Sequence, residues 1–210
     1  MKTDRLVHLL ASDNDAATAR ARRAQNLNLV YLMLAAVLTA AGFVLFVGLR
    51  DDLAAVMPAI LRKEAVTLAA VLAGGVVFWR LSAPEGRNPG LLMAPVVMII
   101  LFVLWELART GLSDWQGRMI GTNSLSCLVL VSLLALPVLG ALLALLKWRA
   151  PGASGRAGAA AGLVAAGFAA SLYALHCTDD SMLFVALWYS IATLLLSGLG
   201  ALAARHFVRW

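Results

Sequence analysis

LSCLVLVSLLALPVLGALLALL, residues 125–146, decides the fold. It holds no charged residue, and a helix needs about 20 mostly apolar residues to cross the hydrocarbon core of a bilayer. Pro137 lies inside it; within a membrane, neighbouring helices and local backbone adjustment absorb such an interruption. Working outward, five further stretches read the same way: 29–49, 65–81, 91–107, 157–175 and 183–203. The second and third of the six, 65–81 and 91–107, are the shortest. Each break between stretches carries charges or turn formers. Arg50-Asp51-Asp52, the run 84–89, Arg109 to Arg118, the run 147–152 and Cys177-Thr178-Asp179-Asp180 are such breaks, and clusters of this kind mark loops. The expected fold is all-α: a polytopic membrane protein with six transmembrane helices in a bundle.

Composition supports this. The chain of 210 residues is 62% hydrophobic and 13% charged, with mean hydropathy +0.87. A soluble domain holds roughly 45–50% apolar and about 25% charged residues, and soluble monomers avoid the wide apolar patches that this chain would expose in water. The net charge of +6 does not point to nucleic acid. The basic residues flank apolar runs and form no patch with interleaved aromatics, so they read as topology signals and contacts to anionic lipid.

Lys and Arg divide unevenly between the two sides. Lys2, Arg5, Arg20, Arg22, Arg23, Arg80, Arg87, Lys147, Arg149, Arg156, Arg205 and Arg209 fall on one side; Arg50, Arg62, Lys63, Arg109 and Arg118 fall on the other. The richer side belongs in the cytoplasm, which puts both termini there and favours an even helix count. Trp79, Trp148 and Trp210 then sit at inner helix ends, and Trp105 and Trp115 near outer ones, as interfacial anchors. No secretory signal peptide is expected. The domain reading is a cytoplasmic N-terminal segment (1–28), a membrane domain (29–204) and a short cytoplasmic tail (205–210). Gly158 with Gly162, and Gly167 with Ser171, are small-xxx-small pairs that predict close helix packing.

Enzyme motifs are absent: no GxSxG, Walker A, HExxH or CxxC. No enzymatic activity and no resident cofactor are expected. The apolar runs hold almost no ionisable residue, whereas transporters and pumps use such residues near the midplane. Glu106 comes nearest, and reads as an interfacial carboxylate paired with Arg109 three positions on. Two features remain. Cys127, near the start of the fourth stretch, and Cys177, at the end of the fifth, map to the same periplasmic face, where disulfides are permitted. With His176 and Asp179 they form a candidate metal-ligand set, since thiolate and imidazole suit soft or borderline metals; thiols are also targets of oxidants. Two inert buried cysteines are the alternative. The other feature is the N-terminal segment. Thr3 or Asp4 can cap a short helix, Leu6, Val7, Leu9 and Leu10 supply an apolar face at helical spacing, and Ser12-Asp13-Asn14-Asp15 breaks it. Such a tethered helix suits docking into a groove on a soluble partner, or resting on the inner leaflet.

Several blocks resemble a known family. The opening Met1-Lys2-Thr3-Asp4-Arg5-Leu6-Val7-His8-Leu9-Leu10-Ala11-Ser12-Asp13 is similar to that of the NrsF-type membrane anti-sigma factors of Proteobacteria. Ser126-Cys127-Leu128 through Leu136-Pro137-Val138 looks like the Cys-bearing fourth helix of that family. The block from Leu172 to Ser181, which contains Leu175-His176-Cys177, continues to Tyr189 and resembles its most distinctive part. The closing Arg209-Trp210 also fits. The resemblance runs over essentially the whole chain.

It implies an inner-membrane regulator whose N-terminus holds an extracytoplasmic-function sigma factor. Its two outward cysteines, Cys127 and Cys177, would sense heavy-metal or oxidative stress and release that factor. A heavy-metal ion would bind only transiently. Leu6, Leu9 and Leu10 are assigned to the partner by helical spacing, with Thr3 and Asp4 as caps at the helix start, and none of the five by the resemblance. The partners expected are the sigma factor and membrane lipids, with no direct nucleic-acid contact and with homo-oligomers left open. The competing classes are a small membrane transporter and a cysteine-based membrane redox protein.

Overall fold

A computed structural model describes residues 3–83, 90, 93–149, 151 and 153–208; for 3–21 and Leu112 it describes backbone alone. Among the described residues all regular structure is helical. The helices are α1 (Thr3–Phe46), α2 (Met57–Leu81), α3 (Met93–Leu107), α4 (Trp115–Ile120), α5 (Ser124–Arg149), α6 (Ser154–Ala174) and α7 (Met182–Phe207). Pro58 stands in the first turn of α2, where its missing N–H costs nothing and its fixed φ favours the helix. In α7 the turn at Val185–Tyr189 is π-helical.

Among the described residues, five helical segments are long and apolar enough to cross a membrane. Helix α3 is apolar but has 15 residues, about 22 Å at 1.5 Å per residue, against a hydrocarbon core of about 30 Å. The sequence-expected stretch 91–107 begins at two residues outside the described ones, so the described part of α3 is too short to be counted as a sixth span.

Helix α6 occupies the centre and packs against α7, α2 and α5, while α1 lies along α5. The central position follows from side-chain size. Ala157, Ala160, Ala161, Ala165, Ala166, Ala169, Ala170 and Ala174 of α6 are all buried. A Cβ on Gly158 would collide with the Gly200 carbonyl and with Ala204, and one on Gly162 with the Leu196 carbonyl. Backbones approach this closely only where both helices offer small residues. Gly167 faces α2, where a Cβ would meet Val71 at 2.9 Å and the Thr67 carbonyl at 3.2 Å. The Ser171 hydroxyl donates to Glu64. Both small-residue pairs read from the sequence therefore lie at helix contacts.

The N-terminal region departs from expectation. No break occurs at Ser12-Asp13-Asn14-Asp15: the backbone is helical from Thr3 to Phe46 without interruption. Local capping propensity at Ser, Asp and Asn is overridden by helix on both sides, much of it Ala-rich.

Candidate functional site

The segment linking α6 to α7 organises one end of the molecule. Its sequence, Cys177-Thr178-Asp179-Asp180-Ser181, holds two adjacent carboxylates and a good N-cap. Ser181 is extended (φ −73°, ψ 133°) and its hydroxyl accepts from Leu183 N, which starts α7. Most of the remaining polar groups of the segment are bonded to other elements.

Asp180 Oδ1 accepts from Lys63 Nζ at 2.8 Å and from Arg50 Nη1 at 2.9 Å. The same two cations donate to the Cys177 carbonyl, each at 3.0 Å. Lys63 is wholly buried, with 0% of its side chain exposed, and an unpaired ammonium there would be costly. Asp180 and the Cys177 carbonyl make its burial tolerable. Arg50 is also bonded to Asp52 at 2.6 Å. The Asp52 bond and the Asp180 charge hold the Arg50 guanidinium above its ordinary range despite burial, and Arg50 holds the Asp52 carboxyl below the usual carboxylate range.

Asp179 performs a different task. Its carboxylate accepts from Asn123 N at 2.8 Å, Thr122 N at 3.1 Å and Asn123 Nδ2 at 3.0 Å, so from another part of the chain it holds the two residues that lead into α5 and sets a negative charge at that helix's N-terminal end. Glu106, only 6% exposed, accepts from the Ser181 hydroxyl at 2.6 Å, from Met182 N and, at 3.5 Å, from Arg118. The expected Glu106–Arg109 pair is thus corrected: Arg109 stacks over Trp105 at 4.6 Å. The Ser181 hydroxyl and the Met182 N–H at the start of α7 are better partners for a buried carboxylate than a surface guanidinium one turn away.

Gly121 lets the α4–α5 turn close onto this segment. Its φ is +62°, and a Cβ would meet Phe184 at 2.6 Å and Asp179 at 2.8 Å.

The end of α1 is joined to the same segment. Arg50 N donates to the Leu175 carbonyl at 3.2 Å, and His176 Nδ1 lies 3.1 Å from the Gly48 carbonyl. The His176 ring packs against Phe43 and Tyr173.

Cys127 and Cys177 are both free and both buried, at 0% and 1% exposure, in one apolar cluster with Tyr173 and Tyr189. The two tyrosine hydroxyls have no hydrogen-bond partner among the described residues. Burial pushes the Cys177 thiol up, partly offset by the Lys63 charge, so at neutral pH the folded protein holds the thiol and not the thiolate. The candidate metal set Cys127, Cys177, His176 and Asp179 is not assembled. His176 is turned to Gly48 and Asp179 is held by Thr122 and Asn123. No group of three or more His, Cys, Asp or Glu side chains among the described residues is placed to hold a metal ion. Thr3, Asp4, Leu6, Leu9 and Leu10 carry side chains that lie outside the described ones.

Sequence reading missed Lys63, Arg50, Asp180 and Ser181 as parts of one site. A usable signal existed. The loop at 177–180 holds two acids and no Lys or Arg, while Arg50 and Lys63 were assigned to the same face.

A family model described as NrsF, negative regulator of sigma F, matches residues 10–210. The chain is 34% identical over 218 aligned residues to the anti-sigma-F factor NrsF of Caulobacter vibrioides (strain NA1000 / CB15N), covering 100% of both chains. It is 32% identical over 144 residues to the probable anti-sigma-F factor NrsF of Azospira oryzae, covering 66% of this chain and 68% of that one. No solved structure matches.

Proposed function

This chain belongs to the NrsF family of negative regulators of sigma F, a regulatory and non-enzymatic family, and from that premise we propose that it is a membrane-held antagonist of a sigma factor. In this reading six helices cross the bacterial inner membrane with both termini in the cytoplasm. The first 28 residues hold an extracytoplasmic-function sigma factor away from RNA polymerase, with Leu6, Leu9 and Leu10 as the apolar contact and Thr3 and Asp4 at the helix start. The full-length identity to a protein named as an anti-sigma-F factor is the observation that carries it.

The geometry supports a route for the signal. Helix α1 has 44 residues, about 66 Å at 1.5 Å per residue, and its apolar span begins at Arg22. The helix therefore extends well past the span toward the docking segment. Its far end is bonded through Gly48 and Arg50 to His176, Cys177 and Asp180. A peroxide, reduced to water, would take two protons and two electrons from Cys127 and Cys177, and the disulfide formed draws the two sulfurs together. Cys177 then moves, and its carbonyl, which both Arg50 and Lys63 hold, moves with it. Displacement of Arg50 shifts or rotates α1 as a body, a helix movement of the kind that switches other proteins. A change of about 3 kcal/mol in sigma affinity, roughly a hundredfold, is within reach of one new disulfide. A soft metal bridging the two thiols would act in the same way. No observation favours the transporter or the redox-carrier reading over this one.

The test is capture of full-length protein from source-cell membranes, with identification of the bound sigma factor, followed by transcription with that factor in vitro. Wild type should silence it, and Leu6→Asp with Leu9→Asp should restore it. A wild-type protein that captures no sigma factor, or one whose binding ignores those substitutions, sinks the docking assignment. Cys127→Ser and Cys177→Ser should each retain the sigma factor under oxidant or metal stress; normal release by either would remove the sensing role.

A further inference from the structure

A cavity of about 700 Å³ opens at the cysteine end of the molecule, walled by α2, the end of α3 and α4, and floored by residues 178–181. Six charged side chains line it: Arg62, Arg109, Arg118, Glu106, Asp179 and Asp180. The three carboxylates are already engaged, Asp180 by Lys63 and Arg50, Asp179 by the start of α5, and Glu106 by the start of α7 and Arg118. The guanidiniums are less evenly satisfied. Arg62 and Arg109 have no carboxylate at ion-pair distance among the described residues, and both lie against the same ring, 5.1 Å and 4.6 Å from the Trp105 centroid. Arg62 Nε is buried and has no hydrogen-bond partner among the described residues.

Two cations held on one indole repel each other, and a buried N–H left unmade is costly. One anion between them would relieve both. We propose that this cavity binds a phosphate group, bridged by Arg62 and Arg109 beside Trp105. Guanidinium forks match the oxygens of phosphate and carboxylate alike. Phosphate is preferred because its tetrahedral oxygens point in more directions than the two coplanar oxygens of a carboxylate, which suits guanidiniums that approach from separate elements. The group comes either from a phospholipid headgroup, since the cavity lies at helix ends, or from free phosphate. The site does not depend on thiol sensing, although its floor is the segment that follows Cys177.

The test is calorimetric titration of the full-length protein in detergent micelles at constant ionic strength, with inorganic phosphate, with short-chain phosphatidylglycerol, and with chloride as control. Saturable binding of a phosphate form, weakened about tenfold or more by Arg62→Gln with Arg109→Gln, is expected. Binding of inorganic phosphate would identify the free ion as sufficient; binding of the lipid alone would identify the headgroup. No phosphate-specific heat, or equal affinity in the double variant, overturns the proposal. Should that variant fail to fold, wild-type protection decides the same question. Phosphate or the lipid should shield Arg62 and Arg109 from phenylglyoxal in a mass-spectrometric map, and unchanged modification at both overturns it.

Discussion

Helices α6 and α1 are both apolar enough to span a bilayer, yet 67% of the most apolar window of α6 is buried and only 11% of that of α1. The difference lies in side-chain size. Helix α6 is built from Ala and Gly, so three neighbours approach its backbone. Helix α1 carries Leu38, Leu45 and Phe46, which stay exposed and suit contact with lipid. Where lipid is as apolar as a side chain, burial of Leu adds little and close backbone packing adds more. One helix is thereby fixed as an axis. The other is held along α5 and, at its end, by a few polar bonds to the 175–180 segment.

The largest effect should come from spoiling the axis. Gly158→Leu or Gly162→Leu forces α6 off α7 and should cost at least about 3 kcal/mol or abolish the folded protein, read from thermal unfolding in micelles. Leu38→Ala on α1 should cost less than about 0.5 kcal/mol. Comparable losses at both helices would break the contrast between them.

Next comes Asp180→Asn, which strands the buried Lys63 and should cost about 3 kcal/mol. Adding Lys63→Met should recover most of it, because the uncompensated charge is then gone. A double variant no better than the single one would mean that Lys63 is not the reason. Smaller still, Gly121→Ala should cost about 1–3 kcal/mol, since the position needs a positive φ and abuts Asp179. The equivalent change at Gly48 (φ +82°), with open space around it, should cost about 1 kcal/mol.

The smallest effect concerns the tether of α1. Asp52 is held below its ordinary range chiefly by Arg50. A carboxyl depressed in the folded state adds stability above its unfolded value of about 3.9 and loses it as pH falls through the folded value. Carbon-detected titration should therefore show Asp52 ionising at lower pH than the free side chain, and returning to the ordinary range in Arg50→Gln. An unchanged titration would show that the pair does not form in solution.

Five of the six apolar runs and the small-residue pairs on α6 were legible because each is a local pattern with its own physical consequence. Close packing at Gly158 and Gly162 follows from their spacing, whereas the partner, α7, is set by the fold. The fate of the charged residues was not local. Glu106 was assigned to Arg109 because the two are three positions apart, whereas it bonds to Ser181 and Met182, 75 and 76 positions on, and pairs with Arg118. His176 and Asp179 resembled ligands by their nearness to Cys177 in the chain, and the fold turns both away to backbone partners. The expected break at residues 12–15 failed for the opposite reason: a local signal was too weak against continuous helix.

The sequence alone determined an all-helical chain with several segments fit for a bilayer, and set two cysteines near helix ends, because hydrophobic length and charge placement act segment by segment. Only the tertiary structure decided that Lys63 is buried, that Asp180 and the Cys177 carbonyl share it with Arg50, and that α1 ends on that junction. Those bonds join residues more than a hundred positions apart, and an interaction between charges depends on distance in space, which no local pattern encodes.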